Sequence, residues 1–505
     1  MHNAQCRYGW AAAVFKSFLH LFFGSLAGKL AGVLREVLLA GLFGTSGMVA
    51  ALRAAQSATL VPVNFFTADT LSAGFLPLYA RYRDSDGRRA GSLFWWTAGL
   101  LLVASVLTVT LLLAAAPYWI RALVPGFSAS ERALTVEFVR IMGLGVPFYI
   151  AGGLFSYLEM GHGVYTLASA RATLQSAGLI VGTLVAYVMR VPSLLAWGFT
   201  VAYLVYSVWG FARIVRRGWV PLPSLLRSED IRSVAGEFWH VVKPLMLIPV
   251  LLQGNTVAER AVASLLGVST FAALDYAKFI SDTGILLFAV PLGLAGLSAI
   301  SKMSDEEARV SLERLLPPLL LASVPVSMAL AVNCRWVIAI VYQRGHFDAE
   351  STHLTQLILW GYALGFWAQV ASYVLMKSLS ARLLNTAVFR IMAAGLVVNM
   401  VINFSFYRVV GPAVLGIGSC ANGVVLFALS TRALGLTGTV LKRLAWLALG
   451  SLGYASIEMM PIAQGWLGML VAAIWFMAWW GAFIAVVPTL RTDARFMIEK
   501  WSTAR

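Results

Sequence analysis

At 505 residues, with 60% hydrophobic and 12% charged residues and a mean hydropathy of +0.80, the chain is too apolar for a soluble domain and reads as a polytopic membrane protein. Its net charge of +16 would suit a nucleic-acid binder only if the cations shared one soluble face. They fall instead in short runs between apolar segments, the positive-inside pattern of cytoplasmic loops, which argues against nucleic acid as a partner.

A membrane-crossing helix needs about 20 mainly apolar residues. About fourteen such segments follow one another, within residues 14–42, 49–80, 90–116, 134–158, 164–189, 193–214, 240–266, 270–299, 313–334, 352–380, 387–408, 412–433, 441–460 and 465–487. The predicted fold class is therefore all-α. An even number of spans puts both termini on one side. The runs Arg81, Arg83, Arg88 and Arg89, then Arg213, Arg216 and Arg217, then Arg432, Lys442 and Arg443 lie in loops after even-numbered spans, so both termini are predicted to be cytoplasmic. The first segment is too long, and lacks the small-residue cleavage site, for a removable signal peptide. Cys6, Cys334 and Cys420 are too widely spaced to suggest a disulfide framework or a ligand set.

The first segments carry the most unusual feature. Between Gly24 and Ala55 the sequence holds Lys29, Arg35, Glu36 and Arg53. Each such charge costs roughly 2.5–3.5 kcal/mol at the bilayer centre on insertion scales, so the stretch is predicted to wall a hydrated cationic cavity. Lys29 and Glu36 share one helix face, and Arg35 points about a third of a turn away. Gly24, Gly28 and Gly32 allow a bend or a close neighbour. Lys29 and Arg35 are candidate anion contacts, with Glu36 as counter-charge. The competing readings are a Lys-Glu pair buried for packing and a Lys29 that snorkels to the interface.

Further along, residues 215–238 form the longest polar interval, read as a linker with an interfacial helix or as an ordinary loop. The organisation predicted is a six-helix bundle over 1–217, a linker over 218–238, a second six-helix bundle over 239–435, and two extra spans with a tail over 436–505. A repeat supports the two bundles. LAGLFGTSGMVAALRAA (39–55) aligns with the stretch from Val262 to Lys278, Gly44 over Gly267, with Arg35-Glu36 upstream of one copy and Glu259-Arg260 upstream of the other. Six spans separate the copies, which makes the repeat parallel and places a substrate site between the halves. In the second copy Asn255 and Glu259 make an i, i+4 pair beside Arg260, and Asp275, Lys278 and Asp282 form one helical stripe. Lys278 and Arg260 are candidate cavity cations. Glu259 and Asp275 are candidate counter-charges.

Catalytic patterns are weak. The six histidines are scattered, no HExxH or phosphate-binding loop occurs, and Glu159 with His162 lacks a third partner. No enzymatic activity and no cofactor are expected, and no metal is assigned.

The segments LAGVLREVLLAGLFG (30–44), SAGFLPLYARY (72–82), QGNTVAERAVASLLG (253–267), YQRGHFDAESTHLT (342–355) and VVNMVINF followed by GPAVLGIG resemble the MurJ (MviN) family of lipid II flippases, in the multidrug/oligosaccharidyl-lipid/polysaccharide exporter superfamily. The resemblance covers nearly the whole chain, and YQRGHFDAEST is its most specific part. It implies an alternating-access transporter of the bacterial cytoplasmic membrane that moves lipid-linked peptidoglycan precursor to the outer leaflet without covalent chemistry. Its implied partners are that lipid-linked glycan, membrane lipids and cell-wall synthesis enzymes.

Arg35 matches a family arginine that holds the pyrophosphate, Lys29 stands where another is usual, and Glu36 replaces an aspartate. The resemblance also leaves room for a coupling monovalent cation, with Glu259 and Asn385 at two family positions. The chain departs from the family at Ala50, at Val63-Asn64 and at Phe279, where charges are usual, and Arg53 or Lys278 stands nearby as a replacement. These departures keep two alternatives open: an exporter of another polyprenyl-linked oligosaccharide, and a transport-inactive scaffold for envelope synthesis.

Overall fold

The structure, a computed structural model, describes residues 27–503 other than 221–227, 244–245, 301–302, 304, 383 and 459–465. Among the described residues the regular structure is helical and no strand occurs. The order is α1 (27–43), α2 (Gly47–Asp69), a π-helical stretch (Thr70–Phe75), α3 (Leu76–Ser85), α4 (Gly87–Ala114), α5 (Ala116–Leu123), α6 (Ala129–Gly143), α7 (Val146–Gly161), α8 (Thr166–Met189), α9 (Ser193–Arg216), α10 (Ser228–Val242) and α11 (Leu247–Leu265). There follow α12 (Val268–Ile300), α13 (Asp305–Tyr342), α14 (Ala349–Ala381), α15 (Asn385–Val410), α16 (Ala413–Ala433), α17 (Thr437–Glu458), α18 (Trp466–Val486) and α19 (Pro488–Thr503).

The protein is a multi-pass membrane protein. By length and apolarity seven described helices suffice to cross a membrane, or ten if three bent pairs each count as one span. The sequence reading of about fourteen is larger because it counts segments such as α2, which Arg53, Gln56 and Asn64 make polar, and 14–42, of which only 27–42 is described.

The helices fall into two compact units, Met1–Val268 and Ser269–Arg505. In the first, α1 lies along α8. A β-carbon on Gly28 would come within 2.9 Å of Ala172 Cβ, and at the far end Phe43 meets Tyr187 edge-on at 6.0 Å. Equal sequence steps separate both contacts, so the two helices run parallel. α8 in turn packs on α9 through Gly178, Gly182 and Gly198, where backbone touches backbone, the small-residue contact that dispersion favours when lipid supplies no hydrophobic drive. α11 finds its neighbours in this unit too, against α2 and α5, and Gly126 N donates to Ser264 Oγ at 3.1 Å. Local signals start the helices: Ser128 and Glu131 form a capping box on α6, and Asp86 accepts from the backbone of Arg88 and Arg89 at the start of α4.

In the second unit α14 and α16 approach at Gly361 against Gly416 and at Gly365 against Cys420. The segment 342–355, the most specific part of the resemblance, is structural here. Tyr342 and Phe347 gather round Tyr276 with ring centroids 5.0 and 5.3 Å away, Gly345 takes a positive φ of 57°, and Asp348 caps α14 through Ser351 N at 2.8 Å. Arg443 on α17 grips Asp493 on α19 with two bonds of 2.8 and 3.1 Å.

Candidate functional site

The site in the first unit is built by a helical hairpin. α1 ends at Gly44 with φ 58°, the chain turns through Thr45 and Ser46, and α2 returns antiparallel. That return sets Arg53 against Glu36. The Glu36 carboxylate accepts through Oε1 from Arg35 Nε at 3.1 Å and Nη2 at 2.6 Å, and through Oε2 from Arg53 Nη2. Arg53 also reaches Gln56 Oε1 at 3.4 Å. Glu36 is 1% exposed and Arg53 7%, so one carboxylate joins two guanidiniums away from bulk solvent.

Two guanidiniums thus converge on one carboxylate. A buried pair broken on one side costs about 3–5 kcal/mol. The arrangement is therefore held tightly. Arg35 spends Nε and Nη2 on Glu36; its Nη1 has no partner among the described residues, and its side chain remains 17% exposed. A guanidinium edge aimed away from its own carboxylate suits the oxygen atoms of a phosphate.

Lys29 lies on α1 and is half-buried. Glu259 and Arg260 on α11 are 2% and 8% exposed and belong to the same unit. Lys278 and Asp275 are half-buried on α12, and Asn385 is the exposed first residue of α15; all three belong to the second unit. Of the positions where the resemblance expects charge, Ala50 and Val63 are fully buried in apolar packing and Asn64 is half-buried, accepting from Tyr149 Oη at 3.2 Å. Among the described residues no three His, Cys, Asp or Glu side chains gather to hold a metal ion.

Two charged groups have surroundings that the sequence did not announce. Glu159, fully buried at the end of α7, accepts from Arg213 Nε at 2.5 Å and from the backbone N of Leu167 at 2.7 Å, while Arg213 also donates to Thr166 Oγ1 at 2.8 Å. Glu159 thus ties α7, α8 and α9 together at one end and is no partner for His162. The second is Arg171 on α8, whose guanidinium carbon lies 4.4 Å from the ring centroid of Tyr149. The criterion applied to Lys29 and Arg35, a cation inside an apolar span, picks out Arg171 equally well.

The comparisons with known proteins agree with this architecture. The family described as lipid II flippase MurJ matches residues 39–484, a range that begins just after Glu36. A lipid II flippase MurJ of Burkholderia cenocepacia is 23% identical over 439 residues, covering 82% of this chain and 83% of its own. A probable lipid II flippase MurJ of Synechocystis is 24% identical, covering 90% and 87%. Among solved structures, a lipid II flippase MurJ in an inward closed conformation superposes with a TM-score of 0.77 at 18% identity, over 92% of this chain and 98% of that one. An inward-facing multidrug resistance MATE family transporter gives 0.66 at 15% identity, over 81% and 94%.

Proposed function

The chain belongs to the lipid II flippase MurJ family, and from that membership we propose that it carries lipid II from the cytoplasmic to the outer leaflet of the bacterial cytoplasmic membrane by alternating access. The observation that supports the reading is the buried cluster in which Arg35 and Arg53 share Glu36, with the Arg35 guanidinium keeping one edge open. A pyrophosphate linking a lipid to a sugar is a compact anion. In a low-dielectric site two or three cations bind it far more strongly than water would let them. Glu36 fixes where the two guanidiniums point and keeps them from repelling each other apart before substrate arrives.

Lys29 and Arg260 are the further cations proposed for the substrate site in the first unit, Lys278 is the candidate cation of the second unit, and Glu259, Asp275 and Asn385 are positions for counter-charge or for a coupling monovalent cation. Transport of this kind makes and breaks no covalent bond, so the protein needs no catalytic group and no cofactor. Both termini face the cytoplasm in this reading, and cell-wall synthesis enzymes are its natural neighbours.

The test is complementation of a bacterium depleted of its own flippase. Arg35→Glu is expected to abolish rescue, whereas Arg140→Glu, on the exposed face of α6, is expected to rescue normally. Full rescue by Arg35→Glu overturns the assignment. The departure at Val63, buried and apolar, favours asking also whether another polyprenyl-linked glycan is carried. Equal affinity of the purified protein for lipid II and for simpler polyprenyl pyrophosphates would replace lipid II by that broader class.

A further inference from the structure

Arg171 is a cation inside an apolar span with no carboxylate beside it among the described residues. Its neighbours are rings: Tyr149 under the guanidinium at 4.4 Å, and Tyr203 and Tyr206 on α9 close around it. Tyr149 and Tyr203 lie 4.7 Å apart between centroids, and the Tyr149 hydroxyl is anchored on Asn64 of α2. Aromatic faces hold a guanidinium in place by cation-π attraction, yet they cancel none of its charge. Glu159 and Arg213, two turns of α9 away from Tyr206, show the other solution, in which a buried arginine is paired with a carboxylate. Arg171, the sixth residue of α8, keeps its full positive charge within an apolar span, the circumstance in which an ionisable group serves a ligand.

Its position follows from the helix register. α1 and α8 run parallel with Gly28 beside Ala172, so Arg171 stands level with residue 27 of α1. At 1.5 Å per residue this is about 12 Å from the level of Arg35 along the same unit, toward the end that carries Arg83, Arg213 and Arg216, with Lys29 in between. Resting on the function proposed above, we infer that Arg171 in its tyrosine cage is a second anion station. It takes the pyrophosphate of a polyprenyl-linked head group nearer the basic end of the unit, before or after that group occupies the Arg35 and Arg53 site. Two stations of moderate strength let an anion move between them, where one strong site would trap it.

The experiment titrates the full-length protein in detergent with farnesyl pyrophosphate, following binding and thermal melting together. Arg171→Met keeps the volume and removes the charge, which leaves packing tolerant of the change. It is expected to weaken binding about tenfold, the loss of one charge-assisted contact, with Arg171→Lys losing less. Arg35→Gln is expected to weaken binding independently, and the double variant to lose both contributions. If Arg171→Met lowers the melting temperature while affinity stays within twofold of wild type and Arg35→Gln still weakens it, Arg171 is a packing residue and the inference fails while the proposed function stands. If the wild type itself does not bind farnesyl pyrophosphate, both fall. Phosphatidylglycerol competing at Arg171 as well as farnesyl pyrophosphate does would make the cage a site for bulk anionic lipid and would overturn the assignment to the transported head group.

Discussion

Gly44 and Gly267 occupy the same place in two copies of one motif. Each adopts a positive φ, 58° and 118°, and each follows by eight residues a glutamate that is almost fully buried, Glu36 at 1% and Glu259 at 2% exposure. The repeat seen as matching letters is therefore also a repeat of backbone conformation and of burial. A helix stops at both points. Only glycine enters that region without a β-carbon penalty.

The first prediction concerns this turn. Around Gly267 an added β-carbon would meet nothing within 4 Å, so Gly267→Ala changes the backbone term alone. Its expected cost is about 1–2 kcal/mol, read as a lower melting temperature in detergent with the oligomeric profile unchanged. An unchanged melting temperature would mean that the turn relaxes at no cost and that the glycine is not what ends α11.

The second concerns the pair at the other end of the first unit. Glu159 is fully buried between Arg213 and Leu167 N, so Glu159→Leu alone should cost about 3–5 kcal/mol by leaving the guanidinium without its carboxylate. The double change Glu159→Leu with Arg213→Leu should recover a good part of that loss. A double-mutant cycle on melting curves tests it, and simple additivity would show that the two side chains do not depend on each other.

The third is a pH dependence outside the membrane-spanning segments. Backbone N–H groups at the start of α14, Ser351 first, hold the Asp348 carboxyl below its ordinary range. A folded-state value below the unfolded one stabilises the fold above the unfolded value, about 3.9, and the stabilisation disappears as pH falls through the folded value. Asp348→Asn still accepts the capping bond but cannot titrate. Wild type should accordingly melt above Asp348→Asn at pH 7 and lose that lead below about pH 4. A lead that stays constant down to pH 2.5 contradicts the assignment.

Much of this protein is legible without coordinates. Apolar runs of span length dictate helices because a backbone without water must satisfy its own hydrogen bonds, and that holds whatever the helices later touch. The repeat and the expensive charges Lys29, Arg35, Glu36 and Arg53 are likewise properties of the letters, since each charge in an apolar run needs a reason of its own. Pairing is different. That Glu36 serves both Arg35 and Arg53 depends on the turn at Gly44 folding α2 back along α1. That Glu159 belongs to Arg213 rather than to His162 depends on α7 and α9 running side by side so that their last turns meet. Arg171 acquires tyrosines from two other helices, and no spacing along α8 announces them. Composition fixes what must be buried or hydrated; which neighbour answers a buried charge is settled only when helices far apart in the chain pack side by side, because the Coulomb and hydrogen-bond terms that decide it act over a few ångströms of space and take no account of distance along the chain.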